Sequence, residues 1–310
     1  MISIAIPASC IGGQTCYSLE QATYTLYEIC RACMLFEVNE IIVYDIPDVK
    51  AAAESVEPVA AKKIVFGEEE QEEPKPVVRG SAPSWEAVAA ANMLQYLVTP
   101  IYLRKQLFGD LKMYKKAKKL PRVPGQEALL NGKLVQGVAI KKSTPKKKGK
   151  KSKKEKQDAR LTPFVNIGFD HVFELEEQVP VHSQVTIDMS TKKPVASANK
   201  SYTVRAVRQF SKIFTESSVP GGYTHAIYAA SQQFTGKPVS PPIHEVTPVQ
   251  VQDYERPLLV FGKWTEVEAA AKGDHEMPAA PHELFDAKLP GSETARLEDS
   301  VMICLARISK

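Results

Sequence analysis

The chain has 310 residues, of which 44% are hydrophobic and 25% are charged; this is an ordinary globular composition and excludes a wholly disordered, collagen-like or coiled-coil chain. The apolar runs are too short to cross a membrane, and the first residues lack the basic stretch of a secretory signal peptide, so neither feature is expected. The net charge of +4 is unevenly distributed, because residues 141–156 contain ten lysines and one glutamate, a local charge of +9 that leaves −5 for the rest of the chain.

The first 45 residues have the pattern of a strand, a helix and a second strand. Residues 2–6 are mostly apolar and predict a short strand. Ser18 is suited to cap a helix, with Gln21 three residues later as in a capping box, and apolar side chains at positions 22, 26, 29, 30 and 33 share one helical face. Residues 40–45 predict a second, buried strand. This βαβ unit indicates an α/β protein with helices on both faces of a parallel sheet.

The five cysteines do not form a disulfide framework, and Cys30 and Cys33 are interpreted as thiols of the hydrophobic core. The five lie at positions 10, 16, 30, 33 and 304, and an odd number in a chain of this length argues against a disulfide framework. The pair Cys30 and Cys33 has the spacing of a redox or zinc pair, but no second pair of cysteines or histidines stands at ligand spacing, and the pattern lies inside an apolar helix. No metal site is therefore expected.

The next segments are an acidic linker and a further helix. Residues 47–83 contain a run of glutamates and several prolines with little periodicity, which is typical of a solvated loop or linker. Ser84 is expected to cap a helix that reaches about Val98. The Thr99-Pro100 pair interrupts it, and residues 102–108 resume a turn or two.

Several short strands follow one another without intervening helices between residues 111 and 198. They are predicted at residues 134–140, 164–167, 171–175 and 184–189. This pattern favours a small β-barrel or sandwich inserted into the α/β host. The host then consists of residues 1–110 and 199–310, and the lysine-rich segment 141–156 is a loop between the first two strands of the insertion.

The α/β pattern resumes after Ser201. Residues 204–215 are predicted to be helical, and residues 265–272 are predicted to form a short helix closed by Gly273. Buried strands are predicted at residues 224–229, 258–261 and 301–305.

A set of short motifs, in order along nearly the whole chain, resembles the SPOUT-class RNA methyltransferases that carry an inserted OB-fold domain. The likeness begins at Ile4-Ala-Ile-Pro7, Ser18-Leu-Glu20 and Ile29-x-Arg31-Ala32, and continues at Tyr102-Leu-Arg104, Tyr202-Thr-Val-Arg205, Val260-Phe-Gly262 and Pro290-Gly291. The resemblance implies an α/β trefoil-knot fold with an inserted, OB-like β-barrel. It further implies a dimer that binds S-adenosylmethionine.

The same resemblance implies which loops hold the cofactor. They follow three strands of the knot, where backbone groups grip the adenosine, and their residues are Ala229, Ala230 and Ser231, then Gly262 and Lys263, then Leu289, Pro290, Gly291 and Ser292.

Departures from the family pattern fall in and near these loops. Residues 228–233 lack the usual glycine, Lys263 stands where a second glycine is usual, and the third loop is shorter, with Glu293 in place of a basic residue. Ala22 stands where the first helix often has an arginine. These changes motivate the hypothesis that methyl transfer is reduced or lost. Arg31 is the one candidate active-site cation, and its alternative is an ion pair with Glu28 or Glu37.

Basic residues of the inserted domain are the candidate RNA contacts. They form two groups, Lys115, Lys116, Lys118, Lys119 and Arg122, and Lys146, Lys147, Lys148, Lys150 and Lys151. Lysine-rich segments attract phosphates without reading bases; a nuclear address or simple solubility is the alternative for the second group. The aromatic residues Tyr114, Phe164, Phe169 and Phe173 could stack on bases, although core positions are favoured.

Two hypotheses of function follow from these features. The first is an S-adenosylmethionine-dependent methyltransferase that acts on ribosomal or precursor RNA. The second is a non-catalytic RNA-binding scaffold that pairs with an active SPOUT paralogue. Both predict a homodimer or heterodimer in the nucleus or nucleolus, with RNA and no membrane as partner.

Overall fold

The computed structural model describes residues 1–46, 83–109, 111–124, 134–140, 161–168, 172–180, 184–195, 202–217, 219, 221–231, 241–277, 280–290 and 294–309. Six parallel strands form the main sheet: β1 (Ser3–Pro7), β2 (Glu40–Tyr44), β8 (Thr203–Val207), β9 (His225–Ala230), β10 (Pro257–Gly262) and β11 (Ala287–Leu289). Their order across the sheet is β11-β9-β10-β1-β2-β8. The carboxyl ends of all six strands therefore lie along one edge, as in other α/β proteins.

Helices cover both faces of this sheet. They are α1 (Leu19–Leu35), α2 (Trp85–Val98), α3 (Ile101–Leu107), α4 (Lys112–Ala117), α5 (Lys212–Thr215), α6 (Pro248–Gln252), α7 (Trp264–Lys272) and α8 (Leu297–Ile308). Side chains of α1, α2, α4 and α8 share one hydrophobic core with the sheet, and those of α5 and α7 share a second core. Alternate residues of each strand enter the two cores, as Ile4 and Ala5 do on β1. The predicted α/β architecture with a parallel sheet is confirmed.

The start of α1 has the predicted cap. The Ser18 hydroxyl accepts a hydrogen bond from the Gln21 amide at 3.1 Å, and the Gln21 side chain in turn accepts one from the amide of Tyr17 at 3.0 Å. Ser84 caps α2 in the same way, since its hydroxyl accepts a hydrogen bond from the Ala87 amide at 3.1 Å. Both helices therefore begin where their side-chain caps predict.

The inserted segment forms a separate antiparallel sheet with its own core. Its strands are β3 (Leu134–Ala139), β4 (Leu161–Asn166), β5 (Phe173–Pro180), β6 (Gln184–Asp188) and β7 (Lys193–Pro194), in the order β5-β4-β3-β6-β7. The two edge strands, β5 and β7, approach each other: the Glu176 amide of β5 donates a hydrogen bond to the carbonyl of Lys192, which directly precedes β7, at 3.2 Å. The sheet is thus nearly closed. Tyr102 of α3 ties it to the host, since its hydroxyl donates to the Gln136 carbonyl at 2.8 Å.

Two predicted elements are wrong. Residues 204–215 are not a helix: β8 occupies the first part and pairs in parallel with β2 from Glu40 to Tyr44, and only the four-residue α5 is helical. Residues 301–305 belong to α8, not to a strand. Apolar positions 297, 301, 304, 305 and 308 are all buried at helical spacing, whereas a five-residue apolar run alone does not distinguish a strand from a buried helix.

Strand β11 has only three residues and carries no periodic signal of its own. The linker 47–83, apart from its last residue, and the lysine-rich segment 141–156 lie outside the described residues. None of the described helices combines the length and the apolar character that crossing a lipid bilayer requires.

Candidate functional site at the carboxyl edge of the sheet

The ends of three adjacent strands bring most of the predicted cofactor residues together. Leu289 on β11 pairs with Ala229 on β9, and Gly262 on β10 pairs with Ala230. The Ser231 amide donates a hydrogen bond to the Gly262 carbonyl at 3.2 Å. These residues therefore form one continuous strip with Lys263 and Pro290 at the carboxyl edge. Gly291 and Ser292, like Glu293, lie outside the described residues.

The backbone of this strip is tightly held from within the protein. The hydroxyl of Tyr44 donates to the Phe261 carbonyl at 2.8 Å, and the hydroxyl of Tyr228 donates to the Gly262 carbonyl at 3.1 Å. Burial raises the pKa of Tyr44 well above its usual value, so the phenol stays a donor. Gly262 has a φ of 146°, and a Cβ at this position would lie 2.5 Å from the Tyr44 hydroxyl. Only glycine fits here without strain.

Trp264, which follows the second loop, is a core residue. It is 3% exposed, its ring meets that of Tyr228 edge-on with centroids 5.2 Å apart, and it also contacts Phe285. Its indole nitrogen donates to Glu268 at 2.7 Å. The bulk of this side chain is therefore directed into the second core.

A polar cleft of about 640 Å³ lies beside the strip. Its walls are formed by residues that directly follow strands, among them Ser9 after β1, Asp45 after β2, Arg208 after β8 and Lys263 after β10, together with the loop of residues 12–15. Apart from Lys263, these residues were not predicted from the sequence. The sequence feature that could have predicted them is their position directly after strands, because polar side chains just after parallel strands meet at one edge of the sheet.

The cleft carries a net negative charge. Four carboxylates line it, those of Asp45, Glu86, Glu266 and Asp274, against the two cations Arg208 and Lys263. Three of the carboxylates hold neighbouring elements by hydrogen bonds: Asp45 accepts from the Ser84 amide, Asp274 from the Ser211 amide at 2.8 Å, and Glu266 from the Ser9 hydroxyl at 3.1 Å. Lys263 lies 3.6 Å from Glu266. Such a cleft favours a neutral or cationic group over a phosphate.

Arg31 lies away from this edge. It follows the first residue of α1 by twelve positions, about 18 Å along the helix, and α1 begins at the carboxyl edge. Its guanidinium is 3.0 Å from Glu28, and its side chain is 42% exposed. The ion pair that was the alternative for this residue is present.

Helix α4 presents a cationic outer face. Its inner face is buried, with Tyr114 stacked on Tyr96 at a centroid distance of 4.2 Å, so Tyr114 is a core residue. Lys116 contacts Glu20 in the first turn of α1. The exposed basic residues of this segment are Lys112, Lys115, Lys118, Lys119 and Arg122.

The remaining candidate RNA-contact residues are either half-buried or outside the described residues. Phe164 and Phe173 are half-buried. Phe169, Lys146, Lys147, Lys148, Lys150 and Lys151 lie outside the described residues. In the part of the chain that the structure describes, no three histidine, cysteine, aspartate or glutamate side chains cluster to hold a metal ion.

Comparison with known proteins agrees with the family that the motifs indicate. A model of the family described as "Putative RNA methyltransferase" matches residues 1–308. The chain is 27% identical to the 28S rRNA (uridine-N(3))-methyltransferase of Mus musculus over 99% of its own length and 75% of that protein. It is 26% identical to the Homo sapiens protein of the same name, over 99% and 77%, and 26% identical to "Putative methyltransferase YMR310C" of Saccharomyces cerevisiae, over 93% and 86%. The chain belongs to this family of RNA methyltransferases.

Proposed function

We propose that this protein is an S-adenosylmethionine-dependent methyltransferase of ribosomal RNA with a SPOUT trefoil-knot fold. The observation that carries the proposal is the meeting of the ends of β9, β10 and β11 beside a polar cleft, in a chain of an RNA methyltransferase family. Two relatives are named as uridine-N(3)-methyltransferases of 28S rRNA, so a uridine of ribosomal RNA is the proposed target.

The strand order supports the knot. The last three strands of the chain are neighbours, with β9 between β11 and β10. The chain reaches β11 by passing from one side of β9 to the other, and α8 then returns to pack against α1. A knot of this kind needs a chain end to pass through a loop, and residues after β11 are the segment that would do so.

The carboxyl edge suits a bound S-adenosylmethionine, because backbone donors and acceptors of three adjacent segments lie together there. The residues that would hold the cofactor are Ala229, Ala230, Ser231, Gly262, Lys263, Leu289, Pro290, Gly291 and Ser292. The cofactor supplies a methyl group on a positively charged sulfonium, and the negative cleft beside Lys263 suits that charge. The protein's own part is to hold cofactor and target base in contact and to exclude water.

The inserted sheet is proposed to be an OB-like barrel that binds RNA. Five strands in the order β5-β4-β3-β6-β7, with the edge strands in contact, follow the strand order of an OB-fold. The segment between its first two strands contains the lysines at 141–156, and the loop in this position binds nucleic acid in OB-folds. The cationic face of α4 is proposed as a second phosphate-binding surface. A nucleolar location would bring this surface to precursor ribosomal RNA.

RNA binding is tested by salt dependence. The full chain and a variant lacking residues 141–156 are titrated with labelled RNA at several salt concentrations. Every lysine–phosphate pair that the deletion removes should reduce the slope of log K against log salt by about 0.7 to 0.9, so we expect weaker binding and a shallower slope for the deletion. Equal affinity and slope would refute the role of this segment.

A second candidate function is a non-catalytic RNA-binding subunit, either in a homodimer or paired with an active paralogue. One observation favours it: the Gly262 carbonyl already accepts hydrogen bonds from the Tyr228 hydroxyl and the Ser231 amide, which uses both of its lone pairs. In addition, Ala22 offers no charge where related enzymes often have an arginine.

Calorimetric titration with S-adenosylmethionine separates the two candidates. The enzyme predicts binding that the Pro290→Trp variant abolishes, because Pro290 is half-buried at the strip. The control is Val249→Trp, a 67% exposed position on α6, which should bind as the natural chain does. Methyl transfer from radiolabelled cofactor to ribosomal RNA completes the test. If the natural chain neither binds the cofactor nor transfers methyl groups, the enzyme function is refuted and the non-catalytic scaffold function remains.

A further inference from the structure

Trp85 is an exposed tryptophan that stands between two residues of the polar cleft. It is 66% exposed, whereas the other tryptophan of the chain, Trp264, is buried in the core. A single exposed aromatic side chain is common on protein surfaces and needs no explanation. Its surroundings decide whether it has a role, and both of its neighbours in the chain, Ser84 and Glu86, line the cleft.

The backbone that carries Trp85 is held in place. Trp85 is the first residue of α2, and the preceding Ser84 caps this helix through its hydroxyl. The Ser84 amide donates a hydrogen bond to Asp45, which follows β2. The indole is therefore presented from an anchored helix start. A ligand that stacks on it orders little backbone, which keeps the entropic cost of binding low.

A second exposed aromatic residue lies close in the chain to the same cleft. Tyr17 is 88% exposed and stands two residues after Thr15, which lines the cleft. Its amide donates to the Gln21 side chain, and the preceding Cys16 is held by a hydrogen bond from its thiol to the Cys10 carbonyl at 3.2 Å. Three residues after Tyr17, Glu20 contacts Lys116 of the cationic helix α4.

We infer that Trp85 and Tyr17 form an aromatic rim on which unpaired bases of the RNA stack next to the target nucleotide. This inference rests on the proposed function and specifies its substrate as single-stranded or looped RNA. The cleft, with its net negative charge, takes an uncharged base in preference to a phosphate.

The distribution of charge supports RNA rather than a second copy of the chain as the occupant. The exposed side chains near Tyr17 in the chain are polar or charged, namely those of Gln14, Ser18 and Glu20. The pKa of the Glu20 carboxyl is lowered by its contact with Lys116 and, to a smaller extent, by the nearby charge of Lys119. Burial of such groups in a protein interface is costly, whereas phosphates of a bound strand can pair with the lysines of α4. Stacking tolerates any base, because every base has a flat face.

Tryptophan fluorescence tests the inference directly. The full chain is titrated with a single-stranded RNA and with the paired duplex of the same sequence, while the anisotropy of the labelled RNA reports affinity. Stacking on the indole should quench the fluorescence of the natural chain. In the Trp85→Phe variant only the buried Trp264 emits, so the quenching should disappear while binding persists.

Alanine variants measure the contribution of the rim. Trp85→Ala and Tyr17→Ala should each weaken binding of the single strand by about fivefold or more and leave duplex binding unchanged. The matched control is Tyr24→Ala, an exposed tyrosine on α1 with no cleft-lining residue within two positions of it in the chain. Its affinity should equal that of the natural chain.

The outcomes separate this inference from the proposed function. If the natural chain binds the single strand but Trp85→Ala binds it equally well, the aromatic rim is refuted and RNA binding stands. The same conclusion follows if both variants lose as much affinity for the duplex as for the single strand. If the natural chain binds neither RNA, the proposed function fails with it. A dimer in sedimentation that becomes a monomer in Trp85→Ala would assign the rim to a second copy of the chain and overturn the inference.

Discussion

Substitution of Gly262 by alanine should destabilise the protein strongly. The residue has a φ of 146°, a region that side chains rarely adopt, and holding alanine there costs about 1–3 kcal/mol. The new Cβ would lie 2.5 Å from the hydroxyl of the buried Tyr44. If that hydroxyl moves, its hydrogen bond to the Phe261 carbonyl is broken, which costs about 1–3 kcal/mol more. The expected loss is therefore about 2–6 kcal/mol, a large part of the stability of a typical domain.

Urea unfolding measures this loss, with Gly13→Ala as the matched control. No atom lies within 4 Å of a Cβ at Gly13, so that variant should stay within about 0.5 kcal/mol of the natural chain. The second test is Tyr44→Phe in the Gly262→Ala background. Because the close atom is the tyrosine oxygen, the double variant should lose less stability than the sum of the single variants. Equal stability of Gly262→Ala and the natural chain, or strict additivity in the double variant, would refute the steric argument.

Three further predictions concern buried polar groups. Burial works against the charge of Asp274, but hydrogen bonds from the amides of Ser211 and Glu276, together with the nearby Lys212, outweigh it and lower its pKa. Asp274→Asn should therefore cost most stability at neutral pH and progressively less as the pH falls below 3.8 in thermal unfolding. A pH-independent difference would contradict this. Glu40 is 1% exposed and 2.7 Å from Arg205. Glu40→Ala should therefore lower the free energy of unfolding in urea by about 3–5 kcal/mol. A loss below about 1 kcal/mol, which is typical of a surface ion pair, would refute the structural role of Glu40. All five cysteines are buried thiols, and burial raises the pKa of Cys30 to about 12. A thiol reagent at mildly alkaline pH should therefore label none of them in the native protein and all five after denaturation. Rapid labelling of the native protein would contradict the burial.

Local patterns were sufficient for the elements that depend on neighbouring residues. Helix α1 begins at Ser18, as its cap and apolar spacing predict, and β1, β2, β9 and β10 coincide within a residue or two with the predicted apolar runs. The core position of Cys30 and Cys33 followed from the same spacing. The cationic character of residues 112–122 is a matter of composition, and the structure adds that these side chains lie on the outer face of a packed helix.

The candidate site was only partly predictable. The motifs named the loops after β9, β10 and β11, and the described part of those loops does come together. They also named Arg31, which lies about 18 Å along α1 from its start and pairs with Glu28. The cleft escaped prediction, because Asp45, Arg208 and Lys263 are far apart in the chain and become neighbours only when parallel strands align their carboxyl ends.

Motifs and local patterns were enough to establish the family, the α/β class with an all-β insertion, the helix starts and the uneven charge. Packing between distant segments was needed to make residues 203–207 an edge strand and residues 297–308 a helix. The physical reason is the range of the interactions: caps and periodicity act within a few residues, whereas Arg205 reaches Glu40 across 165 residues and Tyr44 reaches Phe261 across 217. The same long-range pairing assembles the cleft that Ser84 and Glu86 line, because its other walls come from residues near positions 8–15, 45, 208 and 263–274.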